Sequence, residues 1–300
     1  MRSIRTVEGE LGVSVNEVRA TGLEALALAT ELLQRARLAD LTAGLWEAAD
    51  VQWWWGRPQQ SDEIEKLFWL DDAGPVAGIL LTSAPDGCWQ CDPVVVPGTS
   101  VVELEVVWTR ATEQAAVHSA KGFEIPVRGD DRTFQDLALR SGLTAGYQDS
   151  TGWMDVADRP AAPAPPDGFV IVDRTQRPDA PHPMRKRRGD GVAQRLAQCS
   201  LYDPGLDLAV ETADGRVAGY SLYWFDPITK VGLVEPVRVE DEFQRKGLAR
   251  AMLVAGIDRL AAKGAQRVKI SYGSEAAGAL YRAVGFRPTS ATTWYGSVSE

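Results

Sequence analysis

The residues best placed to do chemistry lie in the last third of a 300-residue chain. Gln244, Gly247 and Ala249 sit in Gln-Arg-Lys-Gly-Leu-Ala-Arg, with Arg245, Lys246 and Arg250 between and after them. Upstream, an apolar and β-branched run from Val231 to Val239 predicts a strand, with Pro236 marking a bulge or an unpaired edge. From Leu248 onward, Ala249, Leu253, Ile257 and Leu260 fall on one helical face. A strand, a glycine turn and a helix start together make an anion site. The first N–H groups of the helix have no partner within it, and the helix dipole is positive there. The same spacing fits an ordinary strand–turn–helix with a solvated, charged turn equally well.

Three further groups carry chemical potential. Glu235 is a carboxylate inside an apolar strand, which is costly unless it is paired or working. Without a bulge at Pro236 it shares a face with Val237 and Val239. Glu240, Asp241 and Glu242 are other candidate carboxylates, but a charge run ahead of a helix is ordinarily a solvated face, and Arg238 is a partner for one of them. Tyr220, Tyr223 and Trp224 lie on the preceding strand. Alternation puts Tyr220 and Trp224 on one face and Tyr223 on the other. Either set walls an amine pocket by cation–π attraction or packs in the core. Cys88-Trp-Gln-Cys91 has metal-ligand spacing but no second pair, and a structural zinc needs four ligands, so no metal is expected.

These groups need elements to position them. The proline-dense stretch Arg159-Pro-Ala-Ala-Pro-Ala-Pro-Pro-Asp167 forbids helix and central strand, and divides the chain into residues 1–158 and 168–300 around a linker at 159–167. In the second part, strands are expected at Phe169–Asp173, Leu206–Thr212, Val217–Phe225, Val231–Val239, Arg267–Tyr272 and Thr292–Gly296, with helices after Val192, Leu248 and Glu275. In the first, a helix from Leu23 precedes strands at Lys66–Leu70, Val76–Thr82, Val94–Val96 and Val101–Trp108. A helix capped by Thr112, a strand at Phe123–Val127, a helix at Arg132–Ser141 and a strand at Trp153–Val156 follow. The fold class is mixed α/β. Trp53, Trp54 and Trp55 are adjacent, so at least one is exposed, at an interdomain surface or over a pocket.

Composition narrows the function. A net charge of −9 argues against a general nucleic-acid binder, and the basic run Met184–Arg188 then reads as a solvated loop. No apolar run is long enough to span a bilayer, and the start of the chain has no apolar signal core. Three cysteines make no even disulfide framework. Together these point to the cytoplasm.

Gln244-x-x-Gly247-x-Ala249 resembles the coenzyme A pyrophosphate loop of the GNAT acetyltransferases, and Ala277-Gly-Ala-Leu280-Tyr281-Arg-Ala-Val-Gly285-Phe286 resembles a second block of that family in the expected order. The resemblance runs over about residues 168–300; Asp241 and Ser274 stand where the family often has proline and asparagine. It implies acetyl-CoA as co-substrate, held by Val237, Arg238, Val239, Gln244, Arg245, Lys246, Gly247, Leu248, Ala249, Arg250 and Ser274, with pantetheine between two parted parallel strands. It implies Tyr281 as the acid that protonates the departing sulfur, and a base near Glu235. The first part echoes this order, with Leu137, Ala138 and Gly142 under Leu280, Tyr281 and Gly285 but no cofactor loop. The expectation is two tandem GNAT-like domains, the N-terminal one degenerate. The expected activity is direct acetyl transfer to the primary amine of a small molecule, a cysteinyl-sugar amine being one option, by a monomer or homodimer. The alternatives are a non-catalytic acyl-CoA-binding module and acetylation of a protein N-terminus or lysine.

Overall fold

A computed structural model describes residues 4–8, 14–42, 44–84 and 87–297 of the chain. They form two compact units. Unit one comprises residues 1–148 and 291–300, and unit two residues 149–290. These are not the contiguous parts expected on either side of 159–167. Backbone pairing decides membership: residues 149–158 belong to unit two and 291–300 to unit one.

Unit two holds the candidate site. Its strands are the part of β7 (Thr144–Asp155) from Asp149 onward, β8 (Phe169–Asp173), β9 (Asp207–Thr212), β10 (Val217–Asp226), β11 (Val231–Val239) and β12 (Arg267–Tyr272), in the order β7-β12-β11-β10-β9-β8. Every neighbouring pair is antiparallel except β11 with β12. Helix α7 (Leu248–Ala262) buries Met252, Leu253, Ile257 and Leu260 on the sheet, and α8 (Glu275–Val284) buries Tyr281 and Val284. Gly256 of α7 faces the ring of Tyr223, where an added Cβ would stand 2.0 Å from Cζ. Before β9, short turns of helix at α5 (Arg185–Arg188) and α6 (Val192–Ala197) follow β8.

Unit one runs β1 (Ile4–Glu8), β2 (Ser14–Ala20), α1 (Gly22–Ala39), α2 (Ala48–Trp55), β3 (Lys66–Asp71), β4 (Gly74–Ser83), β5 (Trp89–Val95), α3 (Leu104–His118), β6 (Phe123–Arg128) and α4 (Arg132–Arg140). Residues Thr292–Gly296 of β13 (Arg287–Gly296) pair antiparallel with Glu124–Arg128 of β6. Again one pair alone among the described strands of this unit, β5 with β6, is parallel. The expected strand Val101–Trp108 is absent. Most of that stretch is the start of α3, which buries Val107, Trp108, Ala111 and Ala115 at helical spacing. Burial of that face outweighs the β preference of its valines. Thr112 is therefore inside the helix, donating to the Trp108 carbonyl, and Glu103 stands at the N-cap. The tryptophan triplet is helical: Trp53 is buried, and Trp54 and Trp55 line a cavity with Leu26, Ala29 and Leu80.

The two units are repeats with constant spacing along the chain. Asp131 caps α4 by accepting from the Phe134 amide, and Ser274 caps α8 by accepting from the Ala277 amide. Leu143 N donates to the Ala138 carbonyl, and Phe286 N to the Tyr281 carbonyl. Gly142 and Gly285, which end these helices, both have positive φ, 76° and 114°. The same spacing sets Asp92-Pro93-Val94 over Glu235-Pro236-Val237, and Leu104 over Gly247.

Candidate active site

The cleft of unit two opens because β11 and β12 stop pairing. They are bonded at Val231–Arg267, Gly232–Val268 and Leu233–Lys269, and no further. Beyond Leu233, β11 carries an extra residue: Val234 lies opposite Tyr223 and Val237 opposite Ser221, so Glu235 and Pro236 face the single residue Leu222. This bulge bends the strand away from its parallel neighbour. A cleft of about 360 Å³ results.

Its lining joins three elements. Val237, Arg238 and Val239 come from the freed edge of β11. Gln244, Arg245, Gly247, Leu248 and Ala249 come from the turn and the start of α7. Ala277, Leu280 and Tyr281 come from α8. The turn reaches its shape through two left-handed residues, Arg245 at φ 61° and Gly247 at φ 80°. Gly247 is the N-cap of α7 with no capping side chain, and no side chain comes closer to its missing Cβ than Pro166 Cγ at 3.9 Å. The helix start is therefore open, with amides free of side-chain caps and arginines nearby, as an anion requires.

Nine of the sequence-derived site residues line this cleft, and others stand beside it. The Lys246 ammonium lies over the rings of Phe169 and Phe243, 5.8 and 5.4 Å from their centroids. Arg250 is exposed on the first turn of α7, and the Ser274 hydroxyl is the N-cap of α8. Gln244 Nε2 donates to Asp241 Oδ1 at 3.1 Å, and so does Arg238 Nη2. The carboxylates ahead of the turn are each held by an arginine: Glu240 by Arg187 at 2.9 Å and Glu242 by Arg216 at 3.2 Å, besides Asp241. That is the solvated, ion-paired face expected of such a run. Phe243, Ala277 and Leu280 also line the cleft. Ala277 and Leu280 belong to the motif that contains Tyr281; Phe243 is visible beforehand as the lone apolar residue in a run of charges.

Tyr281 is buried, with its ring edge-on to Tyr272 and Phe286 at 5.5 and 6.1 Å. Burial pushes its phenol up to about 12, and the nearby charge of Glu235 adds to the shift. The hydroxyl is thus a proton-bearing donor throughout the neutral range. The bulge removes the simple alternation that would align Glu235 with Val237 and Val239; the glutamate is half-buried at the extra residue, and its carbonyl accepts from Trp224 Nε1 at 3.0 Å.

The three aromatic residues of β10 separate as alternation requires. Tyr223 is wholly buried against α7, its hydroxyl donating to the Met252 carbonyl at 2.8 Å. Trp224 is wholly buried with Tyr202 edge-on to it at 6.3 Å. Tyr220 is buried near Arg187 and Glu240, and burial raises its phenol. None of the three lines the cleft that holds Tyr281. Cys91 is buried with Sγ donating to the Ala111 carbonyl, and no group of three metal-ligating side chains occurs among the described residues. No helix among them is long and apolar enough to cross a membrane.

Residues 174–286 match the Acetyltransferase (GNAT) family. A mycothiol acetyltransferase from Clavibacter michiganensis subsp. michiganensis is 35% identical over 263 residues, covering 78% of this chain and 84% of that protein. One from Clavibacter sepedonicus is 27% identical over the same shares. Among solved structures, a tandem GNAT protein from the clavulanic acid biosynthesis pathway superposes with a TM-score of 0.68 at 15% identity, over 95% of this chain and all of that one. A GNAT-family acetyltransferase from Colwellia psychrerythraea gives 0.59 at 13% identity, over 99% and 100%. These two likenesses speak for the tandem fold.

Proposed function

The chain belongs to the acetyltransferase (GNAT) family, and from that premise we propose that it moves the acetyl group of acetyl-CoA directly to the primary amine of a small molecule, in the cleft of unit two. The observation that carries this reading is the parting of β11 from β12 after Leu233, which frees the Val237–Val239 edge beside the open start of α7 and beneath Tyr281. Pantetheine has amides that can bond to a free strand edge, and the pyrophosphate suits the amides of the Gly247 turn. Arg245, Lys246 and Arg250 add positive potential around the turn.

Acetyl transfer then needs an amine free of its extra proton and a sulfur able to leave. In the proposed reaction the amine nitrogen attacks the thioester carbon, the C–S bond breaks, and the sulfur takes a proton from Tyr281. Glu235, directly or through water, accepts the proton that the amine loses. The raised phenol keeps its proton at neutral pH and so has one to give, while the same shift makes it a weaker acid than an ordinary phenol. The amine's apolar surroundings come from the cleft walls rather than from Tyr223 or Trp224, whose rings are committed to the core.

The relatives named as mycothiol acetyltransferases favour an amine on a small, thiol-bearing molecule over a protein terminus. A competing non-catalytic role as an acyl-CoA binder has less support, because the Tyr281 phenol lines the cleft with the cofactor turn and the charge of Glu235 acts on it. Direct transfer is tested by intact mass. Protein incubated with acetyl-CoA alone should keep its mass, and N-acetyl product should form only when an amine is added. A stable acetyl-protein adduct without amine would point to a covalent route.

A further inference from the structure

The cleft of unit one is a repeat of the active cleft with a different chemical lining. Strands β5 and β6 pair in parallel at Trp89–Phe123 and Gln90–Glu124 and then part. The space between them is a cavity of about 170 Å³. A cavity of about 150 Å³ admits a molecule the size of benzene. The turn before α3 has Val101 and Leu104 where unit two has Gln244 and Gly247, and carries no basic residue. Ala138 replaces the tyrosine. The features suited to a phosphate and a leaving thiolate are gone, while the cavity and one carboxylate remain.

That carboxylate is Asp92, which takes the place of Glu235 and lines the cavity while only 5% exposed. Its partners among the described residues are two neutral donors, Trp46 Nε1 at 2.7 Å and Gln90 Nε2 at 2.8 Å. No lysine or arginine of the described residues pairs with it. The arginines that line the same cavity are committed elsewhere: Arg37 is bidentate on Glu47 at 3.0 and 2.6 Å, and Arg128 is on Asp130 at 2.5 Å. A buried carboxylate without a counter-cation is expensive, and a cation brought into the cavity removes that cost. The indole of Trp46 and the ring of Phe134 form aromatic walls, which favour a cation further.

We infer that the cavity of unit one binds a small organic cation, a primary ammonium on a short apolar body, with its charge against Asp92 and its body against Trp46 and Phe134. The site is separate from acetyl transfer in unit two and stands or falls independently of that reading. No transfer occurs in it, because the turn and the tyrosine of a transferring cleft are missing.

The probe is n-butylammonium, titrated calorimetrically into the full chain without acetyl-CoA, with 1-butanol as the neutral control. Wild type and Glu235→Gln should bind the cation with equal affinity, Asp92→Asn should bind it at least tenfold more weakly, and 1-butanol should bind none of them measurably. Val94→Phe, which fills the cavity from a half-exposed position, should also abolish binding and covers the case in which Asp92→Asn folds poorly. Equal binding by wild type and Val94→Phe, loss in Glu235→Gln alone, or no binding to wild type would each overturn the inference.

Discussion

Trp224 Nε1 donates to the carbonyl oxygen of Glu235 over 3.0 Å, at the point where β11 carries its extra residue. A core side chain thus holds the backbone of the bulge that opens the cleft. Trp224→Phe keeps most of the ring volume and removes the donor. Leaving a buried acceptor unpaired costs about 1–3 kcal/mol, and this half-buried carbonyl belongs at the low end. Urea unfolding should show a loss of that order, together with a slower acetyl transfer. Unchanged stability and rate would mean that the bulge is held by backbone pairing alone.

Gly247→Asp tests the anion site. The position is open, so a side chain fits, but φ is 80° and a carboxylate would stand at the start of α7 where the phosphates are proposed to lie. Acetyl-CoA binding should vanish by calorimetry while the circular dichroism spectrum remains that of wild type. Affinity at the wild-type level would show that the turn does not hold the pyrophosphate. In wild type the same titration should give one acetyl-CoA per chain, because the turn of unit one has neither the glycine nor the charge.

Glu235→Gln should alter the pH dependence rather than the cofactor affinity. At low pH the amine carries a proton and needs a base, so the defect should be largest there and shrink as pH rises towards the amine's own pKa. Loss of the Glu235 charge should also lower the Tyr281 phenol from about 12. A pH–rate profile identical to wild type would remove Glu235 from the mechanism.

Asp92 makes a stability prediction with a definite sign. Burial raises its carboxyl from 3.8 to about 7 in the folded chain. Between those values the folded state keeps a proton that the unfolded state has lost, so folding is favoured at low pH and the advantage fades as pH rises through about 7. The melting temperature of wild type, taken relative to Asp92→Asn, should therefore fall between about pH 4 and about pH 8. A difference that is flat with pH would mean that Asp92 is ionised throughout.

What could be read beforehand follows from range. The turn at Gly247 and the helix carrying Tyr281 are local patterns, and the cleft gathers them as their spacing implied. The bulge at Glu235 depends on pairing with β10, which no single strand reveals. Val101, Val102, Val106 and Val107 favour a strand locally; α3 forms because Val107, Trp108, Ala111 and Ala115 find a core to cover. The membership of residues 149–158 and 291–300 rests on partners distant in the chain. Asp92 carried an unnoticed signal: Asp-Pro-Val repeats Glu-Pro-Val at the spacing that relates Leu137 to Leu280.

The most direct test of acetyl transfer in unit two is thiol release from acetyl-CoA across a panel of small amines, measured for wild type and Tyr281→Phe. The substitution keeps the ring that packs on Tyr272 and Phe286 and removes the proposed acid. Wild type should release thiol only with amine present. Tyr281→Phe should bind acetyl-CoA with wild-type affinity and turn over about 10²-fold or more slower, towards the low end for general acids because thiolate leaves readily. Amine-dependent release at equal rates in both proteins, or none in wild type with any amine, would contradict the account.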